Sequence, residues 1–172
     1  MSLEIIVAAR RIPILGKYAH NRAGTYDVNV EDCDPIAAPA IVKKAGKGAP
    51  ARLLDFPLIH DSDASGWRAW FAAHDLDYRP RRQDRRFEDY NLVLDAAAHG
   101  LGIALARPPM TKESLDSGRV VAVDRRTVLN PVSYWLDRPE GRLRPAAATL
   151  ARRIMQMAEV EPSAIDRFIA AA

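Results

Sequence analysis

Residues 87–107, FEDYNLVLDAAAHGLGIALAR, constrain the fold more than any other stretch of this chain. Asp89 is placed to accept hydrogen bonds from the free amides of a first helical turn. Leu92, Val93, Ala96 and Ala97 then share one face at helical spacing. Gly100 falls where a left-handed residue ends a helix. Leu101, Ile103, Ala104 and Leu105 suit a short strand covered on both faces. Arg107-Pro108-Pro109 stops it, because proline cannot donate into a sheet. A strand-helix-strand element of this kind belongs in an open α/β sheet, where ligands bind beyond the carboxyl ends of strands. Residues 105–107 are predicted to lie at such an end. No catalytic residue type stands at the turn, so the element reads as a crevice wall.

The rest of the sequence fits the same class. Strands are expected at 4–9, around Tyr26, Val28 and Val30, at 35–38, 57–60 and 132–137, and near Val120, Val121 and Val123. Residues 10–24 show no period and read as a loop. Helical stretches are expected at 39–45, 50–56 and 112–117, the last closed by Gly118. Another is capped by Ser65 and carries Trp67, Trp70, Phe71 and His74. A stripe of Ala147, Leu150, Ala151, Ile154, Met157 and Ala158 predicts a long helix, and Ile165, Phe168 and Ile169 a final one. Strands alternating with helices give an α/β fold. Because adjacent helix positions diverge, Trp67, Trp70 and Phe71 are not expected to share one core. One is expected to face a neighbouring lobe or a partner subunit.

Composition removes several function classes. The chain has 172 residues, 48% hydrophobic and 27% charged, which suits a packed core. A net charge of +3, with the basic residues dispersed and no aromatic platform among them, argues against a nucleic-acid surface. The densest basic run, 79–86, is broken by Pro80, Gln83 and Asp84 and reads as a solvated connection. Cys33 is the single cysteine, so no internal disulfide forms, and its neighbours Asp32 and Asp34 disfavour the thiolate. No apolar run is long enough to span a membrane, and Glu4 precedes too short an apolar stretch for a secretory signal. A cytoplasmic location is expected. His60, His74 and His99 lack the spacing of zinc ligands. No glycine-flanked serine elbow occurs. GLG at 100–102 follows a helix instead of opening one, so it does not cradle phosphate. No cofactor and no metal are expected.

Four landmarks then appear in order: LLDFPLIHDSD (53–63), GWRAWFAAHDLD (66–77), the 87–107 element followed by LDSGRVVAV (115–123), and SYWLDRPEGR (133–142) before the long helix. In this order they resemble the effector-binding domain of LysR-type transcriptional regulators over residues 53–159, in the branch of the glycine-cleavage and β-lactamase regulators. Residues 26–42 fit that family's crossover segment. The resemblance implies a periplasmic-binding-protein-like fold. Residues 25–125 would form the second lobe and 126–172 the return strand and terminal helices of the first. Residues 1–24 would be an uncertain segment, a remnant of the first lobe. It also implies a small-molecule effector, an organic acid or an amino acid-like compound, held between two lobes, and a homodimer. DNA contact would run only through a winged helix-turn-helix domain, which no stretch of this sequence matches.

The candidate effector-binding residues are those at strand ends: His60 and Asp61 after PLIH, and Ala106 and Arg107 after GLGIAL. Phe87 and Asp89 border the same crevice. His60 offers a donor or an acceptor, and Arg107 a fixed cationic fork for a carboxylate. The plainer reading has His60 bonded to backbone, Arg107 in solvent and Asp89 as a helix cap. A second function class is a small α/β enzyme using His60 and Asp61 as an acid-base pair. Adjacent strand residues point to opposite faces, which counts against that pair.

Overall fold

A computed structural model describes residues 6–11, 25–29, 32–46, 49–108, 110–124, 126–130, 132–138 and 141–170. In chain order the elements are β1 (Ile6–Arg11), β2 (Thr25–Asn29), β3 (Asp32–Cys33), β4 (Pro35–Ala37), α1 (Pro39–Ala45), a 3-10 turn (Pro50–Asp55), β5 (Ile59–Asp61), α2 (Ser65–Ala72), β6 (Arg85–Phe87), α3 (Tyr90–Ala98), β7 (Ala104–Leu105), α4 (Lys112–Asp116), β8 (Val121–Ala122), β9 (Val128–Leu129), β10 (Val132–Asp137), α5 (Pro145–Met157) and α6 (Pro162–Ala170). They fall into two compact units, Glu31–Asn130 and Met1–Val30 with Pro131–Ala172. The units meet at 30/31 and 130/131, and β2 pairs with β10.

In the unit Glu31–Asn130, β4 runs antiparallel between β7 and β8. A parallel bridge from Leu58 to Ile103 carries the layer on to β5, which pairs in parallel with β6. Side chains alternate between two covered faces, as the pleat requires. Ile36, Ile59, Ala104 and Ala106 pack under α3, against Tyr90, Val93, Leu94, Ala96 and Ala97. Ala37, Leu58 and Ile103 pack under α2, against Trp67, Trp70, Phe71 and Tyr78. Gly102 is required where β7 meets β5: a Cβ there would stand 2.4 Å from the carbonyl oxygen of Pro57.

Several expectations need correction. Trp67, Trp70 and Phe71 are all buried in one cluster. Positions 67, 70 and 71 are i, i+3 and i+4, which share a face, and the sheet together with the 3-10 turn encloses the width they span. Ser65 does not cap α2; it lies in the first turn, and its amide is taken by Asp63 Oδ1 at 2.7 Å. His74 lies beyond the helix end. Leu92 and Leu101 are exposed; the buried face of α3 starts from Tyr90 and takes in Leu94 instead. Arg10 and Arg11 belong to β1, and 12–24 lie outside the described residues.

The second unit pairs β10 centrally with β1 and β2, both antiparallel. Leu136 and Leu143 pack with Ala151 and Met155 of α5 and Ile165 and Phe168 of α6. Leu150 and Met157 of the expected stripe are exposed, because the buried seam of α5 runs through Ala151 and Met155. Arg138 is buried and donates to the carbonyls of Phe168, at 2.8 Å, and Gly141, so it closes the end of α6. Orphan carbonyls at a helix C-terminus favour such a cation.

Candidate functional site

Three parallel strands end on one edge of the unit Glu31–Asn130. Asp61 closes β5 and lies in register with Phe87 of β6, and Arg107 follows β7. The two ends meet through an ion pair, Arg107 Nη2 to Asp61 Oδ2 at 2.7 Å, with side-chain exposures of 21% and 15%. Both partners are held from behind. Ser62 Oγ donates to the other Asp61 oxygen at 3.1 Å. The Arg107 guanidinium lies over the Tyr90 ring, 5.4 Å from its centroid, and Tyr90 Oη donates to the Leu105 carbonyl at 2.9 Å. Such a cation over a ring contributes roughly 0.5–1 kcal/mol when partly exposed. Ser62 adopts φ 55°, a left-handed conformation uncommon for a serine. Its amide is fastened to the Phe87 carbonyl at 3.0 Å. Strained backbone of this kind persists only where neighbours over-determine it.

The other sequence candidates take different positions. Phe87 packs its ring against the core under α3, and Ala106 is buried there, its amide donating to the Asp34 carbonyl at 2.7 Å. Asp89 caps α3, its carboxylate accepting from Asn91 N at 2.7 Å. Asp63 takes the Ser65 amide at the start of α2 in the same way. Each of these helix starts therefore already carries a carboxylate.

His60 points to the opposite face from Asp61 and is 5% exposed. Its Nε2 lies 2.7 Å from Tyr78 Oη, which donates at 2.7 Å to Asp84 Oδ2. Asp84, with only 3% of its side chain exposed, also accepts from Leu58 N, Arg81 N, Arg81 Nε and Arg81 Nη2. Arg81 in turn donates to the carbonyls of Phe56, at 2.8 Å, and Leu54. With the single phenolic proton given to Asp84, the Tyr78 oxygen accepts from His60 Nε2–H. Rings stack outward from Phe71 through Tyr78 to His60. The 79–86 run is thus not merely a solvated connection: Arg81 and Asp84 tie the 3-10 turn, β5 and Tyr78 together.

Burial holds the His60 imidazole below its ordinary range, against the pull of the nearby Asp84 charge. Burial, and then the hydrogen bond to Asp84, push the Tyr78 hydroxyl well above the usual phenol range. Burial alone would raise the Asp84 carboxyl. The bonds from Arg81, the Leu58 amide and Tyr78 outweigh it and hold the group below the carboxylate range. The acid-base pair considered from the sequence is accordingly split. His60 is engaged by Tyr78, and Asp61 by Arg107 and Ser62.

The LysR substrate binding domain model matches residues 31–159. The chain belongs to this family. It contains the effector-binding domain of LysR-type transcriptional regulators, with the periplasmic-binding-protein-like fold of that family. The HTH-type transcriptional regulator TrpI of Pseudomonas aeruginosa is 33% identical over 100 residues, covering 56% of this chain and 34% of TrpI. The transcriptional activator AmpR of Yersinia enterocolitica is 30% identical over 143 residues, covering 81% of this chain and 48% of AmpR. The chain thus spans a third to a half of the length of these curated relatives. Among solved structures, the effector domain of AmpR from Pseudomonas aeruginosa superposes with a TM-score of 0.74 at 23% identity. That match covers 94% of this chain and 75% of that one, and at this identity it speaks for the fold. No helix among the described residues is long and apolar enough to cross a membrane.

In this LysR-family domain, sequence reasoning found both ends of the ion pair but missed Ser62, Tyr78, Tyr90, Arg81 and Asp84. Tyr90 was within reach: it occupies the first position of α3, three residues before the buried Val93. Arg81 and Asp84 carry no periodic signal, because they act from a loop.

Proposed function

We propose that this chain is the sensing part of a LysR-type transcription regulator and binds a small organic acid or amino acid-like effector at the strand-end edge of Glu31–Asn130. The observation that carries the reading is the Asp61–Arg107 pair, which joins the carboxyl ends of β5 and β7 while keeping both side chains partly open to solvent. Open α/β sheets bind ligands at this edge, and fixed charges there are what a small polar metabolite needs for orientation. Asp61 and Arg107 contact the effector; Phe87, Ala106 and Asp89 shape the edge through backbone and cap. His60 acts from behind, by holding β5. The protein is not an enzyme. It works in the cytoplasm as a homodimer, and reaches DNA through a winged helix-turn-helix domain of the full-length regulator. Ligand binding shifts a conformational equilibrium by its differential affinity for the two states.

The test is a melting-shift screen of the chain against free amino acids and small organic acids, repeated with Arg107→Gln. A compound that raises Tm in the parent and not in the variant is the expected result. A compound that raises Tm equally in both places the effector elsewhere.

A further inference from the structure

The Asp61–Arg107 pair also limits which effector fits, an argument that rests on the binding edge proposed above. Arg107 is the residue expected to take a carboxylate, yet its guanidinium is already neutralised at 2.7 Å by Asp61. The helix starts beside it already face carboxylates, because Asp63 holds the amide of Ser65 and Asp89 that of Asn91. A lone carboxylate that displaced Asp61 from Arg107 would leave a mostly buried carboxylate without its cation. A lone amine that took Asp61 would strand the guanidinium over Tyr90 in the same way. Breaking one side of such a pair costs affinity, because solvent reaches the remaining charge only in part.

A ligand that carries both charges avoids either penalty. Its carboxylate can occupy the guanidinium fork while its ammonium occupies Asp61, so that every charge keeps a partner. The two protein charges are fixed for this exchange. Tyr90 supports Arg107, and Ser62, itself held in a left-handed conformation, grips the second oxygen of Asp61. We infer that Asp61 and Arg107 together select a zwitterion, a free amino acid or a short peptide in which an ammonium lies close to a carboxylate. Asp61 is the residue that discriminates such a ligand from a plain organic acid.

The test uses the whole chain and matched probe sets: free amino acids, the same compounds N-acetylated, and the corresponding amines without a carboxylate. Calorimetry on the parent is expected to rank the zwitterion at least ten-fold above both single-charge analogues. In Asp61→Asn that preference over the N-acetyl compound is expected to collapse, with the N-acetyl compound itself binding no more weakly than to the parent. A residue that merely staples the strands would instead weaken all probes alike. Equal affinity for zwitterion and N-acetyl compound in the parent, or a uniform loss in Asp61→Asn, overturns the selection while leaving the binding edge in place. Absence of binding by every probe and by the small organic acids overturns the edge and the selection together. Urea denaturation of Asp61→Asn, read from tryptophan fluorescence, verifies that the variant is folded in the binding experiment.

Discussion

His60 and Asp61 are neighbours on β5, yet the polar groups around them differ in almost every respect. The His60 side is sealed: Tyr78, Asp84 and Arg81 bond one another and the backbone of Leu58, Phe56, Leu54 and Arg81 itself, beneath the aromatic cluster. The Asp61 side is open: one ion pair, one serine and one ring, with solvent still reaching the charges. A sealed network fixes geometry, because any unpaired member is expensive. An open pair can exchange its partner, because a ligand that carries both charges can stand in for both halves. The comparison teaches that the residue at the strand end with the richer chemistry, the imidazole, serves the scaffold, while the plainer carboxylate keeps the exposure that a ligand contact needs.

The largest effect should come from breaking the sealed side. Asp84→Ala leaves Tyr78, the Leu58 amide and the Arg81 guanidinium without their acceptor. It is expected to cost about 3–5 kcal/mol, the usual range for removing one half of a buried charged pair. Urea denaturation measures it, and a loss below about 1 kcal/mol would show that the network is not the keystone.

Gly102→Ala comes next. Its Cβ would meet the Pro57 carbonyl at 2.4 Å, forcing β7 from β5, and overpacking of this kind costs roughly 1–3 kcal/mol. Because the same movement separates Arg107 from Asp61, ligand-induced melting shifts should fall as well. A variant that loses stability but keeps its ligand response would separate strand spacing from binding.

Titration sharpens the contrast further. The folded state holds His60 below its ordinary pKa of 6.5, so the unfolded chain takes up the proton first as pH falls. Stability from this group is complete above about pH 6.5 and declines as pH drops from there towards the lowered folded value. Asp84 adds a second decline in the same direction below its ordinary 3.8. Melting curves across pH 5–7 should show the first slope in the parent and a flatter one in His60→Gln. An unchanged slope would remove His60 from the account.

The smallest effect on stability belongs to the open side. Arg107→Gln should cost only about 1 kcal/mol, as expected of a pair that solvent partly screens, while abolishing the response to effector. Loss of 3 kcal/mol or more would mark the pair as a structural staple.

How much of this was legible in the residues follows the same division. The 87–107 element could be read locally: its cap at Asp89, its stop at Gly100 and the strand beyond depend on neighbours in sequence. So could the positions of Asp61 and Arg107 at strand ends. The sealed network could not, since Asp84 and Leu58 lie 26 residues apart and only the parallel pairing of β5 with β6 brings them together. The stripe on α5 misled for a related reason. Leu150 and Met157 continue an apolar period that the sheet does not cover, and periodicity says which residues share a face, not which face is buried.

The most direct test of the account is to follow the Asp61 and Arg107 side-chain resonances by NMR during titration with the ligand that gives the largest melting shift. Both are expected to move together, saturating with the calorimetric affinity, while His60 and Tyr78 keep their mutual hydrogen bond. Saturation of binding with the Asp61 and Arg107 signals unmoved would contradict it.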